Sequence, residues 1–206
     1  MSDDAPDSDA ADRPLAGLGS APDDAPDPDL SWTVRDSWVA YDCPGFEVRH
    51  DEVTLPDGTE TDFDYLAEPP AVVVLPFTPD GEVVCIEEYR HAVGRVNFGL
   101  PVGTVEDADT DLATAAHREL AEETGYAAEH VEALTTVEPA NGIANSVHHY
   151  FVATGCTPER RQDLDFNESI RPTTVDYDDL RAAAGEGGLR DGRTALAVAQ
   201  YELAGE

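Results

Sequence analysis

The densest grouping of chemically useful side chains lies between Arg118 and Tyr126, which read R-E-L-A-E-E-T-G-Y. Glu119, Glu122 and Glu123 fall close enough that on a helix of about 3.6 residues per turn Glu119 and Glu123 stack on one face and Glu122 flanks them. Carboxylates so placed repel one another. A hard divalent cation, magnesium or manganese, removes that repulsion by taking oxygen ligands, and it keeps positions for water and phosphate oxygens. The pattern therefore points to metal-assisted phosphate chemistry. With 44 acidic residues in 206, an acidic helix face is also a common form of solvated surface. The neighbours that are not acidic decide between the two: Arg118 before the first glutamate, apolar Leu120, Gly125 at the end, and an upstream Gly103 following Leu100-Pro101-Val102.

The elements that would hold these groups can be read around them. Thr110 or Asp111 suits the cap of a helix whose periodic apolar positions are Leu112, Ala115, Ala116 and Leu120, and Gly125 suits the left-handed position that ends it. Upstream, Trp32 to Tyr41, Phe46 to Leu55 and Glu60 to Tyr65 read as strands, the last two joined as a hairpin through Pro56-Asp57-Gly58. Ala71 to Pro76 and Glu82 to Tyr89 read as a second strand pair about Pro79-Asp80-Gly81, carrying Arg90 at its end. Downstream, Val131 to Val137 and His148 to Ala153 read as strands flanking a loop, and Asp176 to Ala184 and Thr194 to Leu203 as helices. No internal repeat is visible.

Gly103, the apolar residues before it and the R-E-L-A-E-E-T-G-Y run together resemble the Nudix box of the Nudix hydrolase superfamily. The resemblance implies an α+β chain with the Nudix fold, a mixed β-sheet sandwiched between α-helices, here with an N-terminal β-hairpin region. One departure stands out: Arg118 lies one residue further from Gly103 than the box requires, and Thr110 occupies the place of its loop glutamate when counted back from the arginine. Asp109 or Glu106 is left to stand in. Val48 to Gly58, A-V-V-V-L-P, E-E-Y-R, L-P-V-G, N-E-S-I (Asn167 to Ile170) and L-R-D-G-R-T-A-L-A (Leu189 to Ala197) are similar to the ADP-ribose pyrophosphatase-like branch, over roughly residues 31–204.

What this resemblance implies for the site is specific. Glu119 and Glu123 bind Mg2+ or Mn2+, with Glu122 assisting and the Val102 carbonyl adding an oxygen. Arg118 holds the carboxylates and loop in place, Gly103 and Gly125 are structural, and Arg90 touches substrate. Glu168 in N-E-S-I accepts the proton of the attacking water or serves as a metal ligand, with Asp165 as second choice for the base. The reaction implied is hydrolysis of the pyrophosphate bond of a nucleoside diphosphate derivative, first of all ADP-ribose to AMP and ribose 5-phosphate. Members acting on ADP-ribose often carry a glutamate where this chain has Ser146, so another nucleoside diphosphate sugar is the alternative, and a non-catalytic Nudix ligand sensor a third class. Retained box glutamates speak against the sensor. His148 and His149 point to opposite faces of a strand, so one at most faces a pocket. The branch often builds a homodimer through its early strands.

Composition bounds the rest. Twelve arginines, no lysine and a formal charge of -32 resemble proteins of extreme halophiles, in which carboxylates keep the chain hydrated in molar salt. Nucleic-acid binding by a basic surface is excluded as an expectation. Cys43, Cys85 and Cys156 form no metal-binding or redox pair. No apolar stretch approaches the ~20 residues of a membrane span, and the start lacks a signal peptide's features, so a cytoplasmic enzyme is expected. Residues 1–30, with nine aspartates against Arg13, read as a disordered acidic tail, and residues 31–206 as one hydrolase domain that includes the N-terminal strands.

Overall fold

The structure, a computed structural model, describes residues 27–205. In chain order its elements are β1 Thr33–Cys43, β2 Phe46–Thr54, β3 Glu60–Ala67, β4 Ala71–Pro76, β5 Glu82–Arg90, β6 Arg95–Gly99, β7 Val102–Thr104, α1 Leu112–Thr124, β8 Tyr126–Ala127, β9 His130–Val137, β10 His148–Thr154, β11 Thr157–Pro158, β12 Ile170–Asp176, α2 Tyr177–Gly185 and α3 Gly192–Ala204. A 3-10 turn at His91–Val93 links β5 to β6. The acidic tail expected over residues 1–30 lies, as far as residue 26, outside the described residues. Asp27 already begins a turn, its carbonyl accepting from the amides of Leu30 and Ser31.

Contacts divide the described residues into two units, one of residues 27–38 with His50–Phe63, the other of Val39–Arg49 with the chain from Asp64 onward. In the first, Trp32 meets Phe63 edge to face at 5.7 Å and Trp38 lies 4.3 Å from the His50 ring. Arg35 bridges Glu52 and Glu60. The strand order is β1-β2-β3, with Gly58 at a φ of 84° in the β2–β3 turn, as the Pro-Asp-Gly signal predicts.

The second unit is built on β4. Val72, Val73, Val74 and Leu75 are all fully buried, because both faces of the strand are covered. Val73 and Leu75 pack with Val83, Tyr150, Leu180 and Val198 on one side. Val72 and Val74 pack with Ala116, Leu120 and Phe151 on the other. Each such aliphatic side chain contributes about 2 kcal/mol relative to exposure. The sheet order is β7-β4-β10-β9, with β4 and β10 parallel and the outer pairs antiparallel. Helices α1 and α3 both contact β4, which gives the mixed sheet between helices that the sequence implies. A second sheet runs β12-β5-β6.

One expectation is corrected. β4 and β5 are not a strand pair: they lie in different sheets, and among the described residues the only ladder contact near their turn is the isolated bridge Phe77–Val83. The reason is visible in their composition. Val72–Leu75 of β4 and Val83–Ile86 of β5 are apolar on both faces and buried, so each strand takes a central place with two strand neighbours. Among the described residues no helix is long and apolar enough to cross a membrane.

Candidate metal and catalytic site

Helix α1 starts where its cap can form. Asp111 Oδ1 accepts from the Thr114 amide at 2.7 Å, satisfying one of the donors that an N-terminus leaves unpaired; Thr110 instead meets the Thr114 hydroxyl. At the other end Gly125 has a φ of 79°, and its N–H donates to the Ala121 carbonyl. A side chain there would be strained and would also place a Cβ 2.4 Å from the Arg160 carbonyl oxygen. Ala115, Ala116 and Leu120 are fully buried, so the helix is locked by its apolar face while its acidic face is turned to the loop after β6.

That face carries two buried carboxylates. Glu123 is 2 % exposed and accepts from the Val102 amide at 2.9 Å, which ties the helix to β7. Burial pushes its pKa up to about 9, against the lowering effect of that amide and with further raising from Glu119, Glu168 and Glu88. Glu119 lies directly over Gly103, where a Cβ would fall 1.9 Å from the carboxyl carbon. The glycine is therefore a spatial requirement. Burial raises the Glu119 pKa to about 7, opposed by Arg118 and reinforced by Glu122 and Glu168. Glu122 completes the predicted trio at the helix edge.

Arg118 organises this group. Its Nη1 donates to Glu119 Oε1 at 2.7 Å and to Glu122 Oε2 at 3.0 Å, its Nη2 to the Thr104 carbonyl at 2.8 Å, and Nε and Nη2 together clamp Asp109 at 3.1 and 2.8 Å. The arginine pKa is raised by these partners, Asp109 first, and the Asp109 carboxyl is held below its usual range by the same bond. Of the two acids left to stand in for the loop glutamate, Asp109 is the one that Arg118 clamps. Glu106 approaches only to 3.7 Å, is largely exposed, and lends its backbone amide to Asp109 instead. The extra residue of the box falls between Asp109 and the helix start, where Thr110 and Asp111 sit.

Each carboxylate keeps one oxygen, Glu119 Oε2, Glu122 Oε1 and Glu123 Oε1, without hydrogen bond or ion pair among the described residues. No three His, Cys, Asp or Glu side chains there already converge as a cage, since Arg118 and the Val102 amide engage the remaining oxygens. The donor set fits a hard dication. Its free groups are all oxygens, and burial, which raises the pKa of both buried members, is the penalty that a bound cation would offset.

The other predicted residues are placed as follows. Glu168 is half-buried, with Oε2 accepting from the Asp165 amide at 2.9 Å, and its charge adds to the repulsion felt by Glu119 and Glu123. Asp165 is exposed. Arg90 pairs with Glu88 at 2.7 Å. Ser146 is 3 % exposed. His149 Nδ1 meets Thr136 Oγ1 at 3.0 Å, whereas His148 Nδ1 is buried without a partner among the described residues, so the two rings do face opposite ways. Glu88 was missing from the sequence reading. It is buried, its pKa raised by burial first against the pull of Arg90 and Arg193, and it faces Glu168 and Glu123. Its signal was available in the alternation of β5, where Val84, Ile86, Glu88 and Arg90 share a face.

Residues 67–194 match the model of the NUDIX domain, and the chain belongs to that family, in which it is a pyrophosphohydrolase. The methanol dehydrogenase activator of Bacillus methanolicus is 30 % identical over 158 residues, covering 76 % of this chain and 85 % of that protein. The ADP-ribose pyrophosphatase of Bacillus subtilis (strain 168) is 29 % identical over 154 residues, covering 74 % and 83 %. A solved structure described as an ADP compounds hydrolase is similar with a TM-score of 0.72 at 20 % identity, over 83 % of this chain and 92 % of that one. That likeness concerns the fold.

Proposed function

We propose that this protein hydrolyses the pyrophosphate bond of a nucleoside diphosphate derivative in the cytoplasm, with ADP-ribose, cleaved to AMP and ribose 5-phosphate, as its substrate. The observation that carries the reading is the seating of Glu119 over Gly103 beside Glu123, with Arg118 binding helix and loop together. The name of the Bacillus subtilis relative supports the substrate. Glu119, Glu123 and Glu122, with the Val102 carbonyl, would hold Mg2+ or Mn2+. When bound, such an ion neutralises pyrophosphate oxygens and acidifies a water.

The chain's own groups supply the rest. Arg118 fixes the carboxylates in position by charge-assisted bonds, so that little reorganisation is needed during the reaction. Glu168 accepts the proton of the attacking water; Asp165, exposed and linked to it through its amide, is the alternative base. Arg90, half-exposed beside Glu88, binds a substrate phosphate. The small buried Ser146 favours, as second reading, a nucleoside diphosphate sugar other than ADP-ribose.

The protein works as a homodimer in high salt. β1 contains no buried residue and exposes Val34, Trp38 and Tyr41, a concentration of apolar surface suited to a second copy. A panel of nucleoside diphosphate compounds assayed in molar salt with magnesium tests the reaction. ADP-ribose should yield AMP and ribose 5-phosphate, and Glu123→Gln should lower turnover by at least about a hundredfold, the amide oxygen still accepting from Val102. No hydrolysis of any compound, or near-normal turnover in the variant, sinks the reading.

A further inference from the structure

Arg193 stands in the first turn of α3 with only 25 % of its side chain exposed. Its Nε donates to Asp191 Oδ1 at 3.1 Å, and Asp191 is itself fixed through Oδ2 by the Thr194 amide and hydroxyl at 3.2 and 2.7 Å. The guanidinium is thereby oriented by one edge. Nη1 and Nη2 have no hydrogen bond or ion pair among the described residues, which leaves the outer donors of the fork unused.

Packing sets what those donors face. α3 contacts β4 and β9, the strands on either side of β10, so it lies over β10. Tyr201 shares a groove with Val152 and Thr154, and Ala197 and Val198 pack with Tyr150, so helix and strand run the same way. Arg193 lies about 12 Å before Tyr201 along the helix, and His148 about 13 Å before Val152 along the strand. The arginine is therefore level with the histidine. His148 and Tyr150 share the face of β10 toward α3, their ring centroids 6.5 Å apart. His148 Nδ1 is enclosed without a partner, and the Tyr150 hydroxyl, not enclosed, has no hydrogen bond among the described residues either. The charges of Arg193 and Asp191 are felt at both rings and at Glu88.

Glu88 connects this group to the metal carboxylates. It shares a sheet face with Ile86, whose partner Gly99 lies against the α3 cap, a Cβ there falling 2.9 Å from Asp191 Oδ2, and the charge of Glu88 also reaches Glu123. An uncharged ligand suits the group, because Asp191 already balances Arg193 and the carboxylates of Glu68 and Glu88 stand near. Sugar hydroxyls answer every open position: they accept from the guanidinium, and they donate to or accept from an imidazole nitrogen and a phenol as each requires. The Tyr150 ring is sealed in the core, so the group offers polar atoms and no flat apolar wall for a base. Resting on the hydrolytic reading above, we infer that His148, Tyr150 and Arg193 form the subsite for the second sugar of the nucleoside diphosphate derivative, the one that carries no base.

The test compares two ligands that differ only in that sugar and reads binding, not turnover. ADP-ribose and the methyl ester of ADP, which keeps both phosphates and their charge but ends in a methyl group, are titrated calorimetrically into the full chain with a chelator present, in salt that keeps it folded. The wild type should bind ADP-ribose at least about tenfold more tightly, the scale of one or two hydrogen bonds to a charged group. Arg193→Met and Tyr150→Phe should each reduce that preference and leave the affinity for the ester unchanged; the second keeps the buried ring and the α3 cap intact. A chain that shows this pattern and hydrolyses nothing keeps the subsite and loses the hydrolytic reading. No binding of ADP-ribose, equal wild-type affinities, an undiminished preference in both variants, or a parallel loss of both ligands overturns the subsite.

Discussion

Arg118, on the one hand, and Arg95 and Arg190, on the other, sit in opposite electrostatic settings within one strongly acidic chain. Arg118 is saturated: three carboxylates and a carbonyl take its donors at hydrogen-bond distance. Arg95 and Arg190 have no carboxylate within ion-pair distance, although acids outnumber arginines almost four to one. The difference teaches that pairing here follows position and not abundance. Where an arginine must hold anionic groups of its own chain it is surrounded by them, whereas Arg95 donates to the neutral side chain of Asn97.

Removing salt should have the largest effect on this contrast. The screening length is about 3 Å at 1 M and about 10 Å at 0.1 M, so the carboxylates that no arginine serves repel over longer range as salt falls. The protein should lose its circular dichroism signal and melt at lower temperature when salt is reduced to tens of millimolar. An unchanged spectrum and melting temperature across that range would remove the halophilic reading.

A smaller effect is expected from cutting one arm of the saturated arginine. Asp109→Ala deletes its two-point clamp, which at about 2 kcal/mol for charged hydrogen bonds corresponds to a melting shift of about 4–8 °C, accompanied by reduced turnover. Asp109→Glu should recover part of both. If Glu106→Ala proves costly and Asp109→Ala silent, the clamp has been assigned to the wrong acid.

The smallest concerns His148. Burial first, and the charge of Arg193 second, hold its pKa below the ordinary value, while Glu68 and Asp191 oppose and His149 adds to the lowering. Unfolded, the ring titrates near 6.5. Between the folded value and 6.5 the unfolded chain binds more protons, so this stability is complete above pH 6.5 and declines as pH falls below it. Wild type should lose more melting temperature between pH 7.5 and 5.5 than His148→Leu; parallel curves would show that the ring carries none of the dependence.

The helix half of the site was legible because it is local. The cap, narrowed to Thr110 or Asp111, the apolar stripe through Leu120 and the stop at Gly125 are set by neighbours within one turn, and α1 runs Leu112–Thr124 accordingly with Asp111 as its cap. β4 was likewise bounded at Ala71–Pro76 by its own composition. Strand partners were not legible: the parallel bond of β10 to β4 and the separation of β4 from β5 depend on residues far apart in sequence. β6 and β7 were missed because Gly94, Gly99 and Pro101 interrupt any periodic pattern. The acid serving Arg118 was narrowed to two residues by counting, but only the path of the 104–110 loop distinguishes Asp109 from Glu106.

The ladder that places His148 opposite Ala71 also sets the order in which the molecule can assemble. Joining residues 77 positions apart closes a loop at an entropic cost of roughly 4 kcal/mol, and the pairing of Ile170 with Glu88 closes another of similar span. The glutamate helix and its glycine loop need neither closure and can form early. Until the late strands arrive, β4 and β5 present bare apolar ribbons, the state in which chains stick to one another. A net charge of -32 opposes contact between such half-built copies wherever salt is low enough to leave it unscreened.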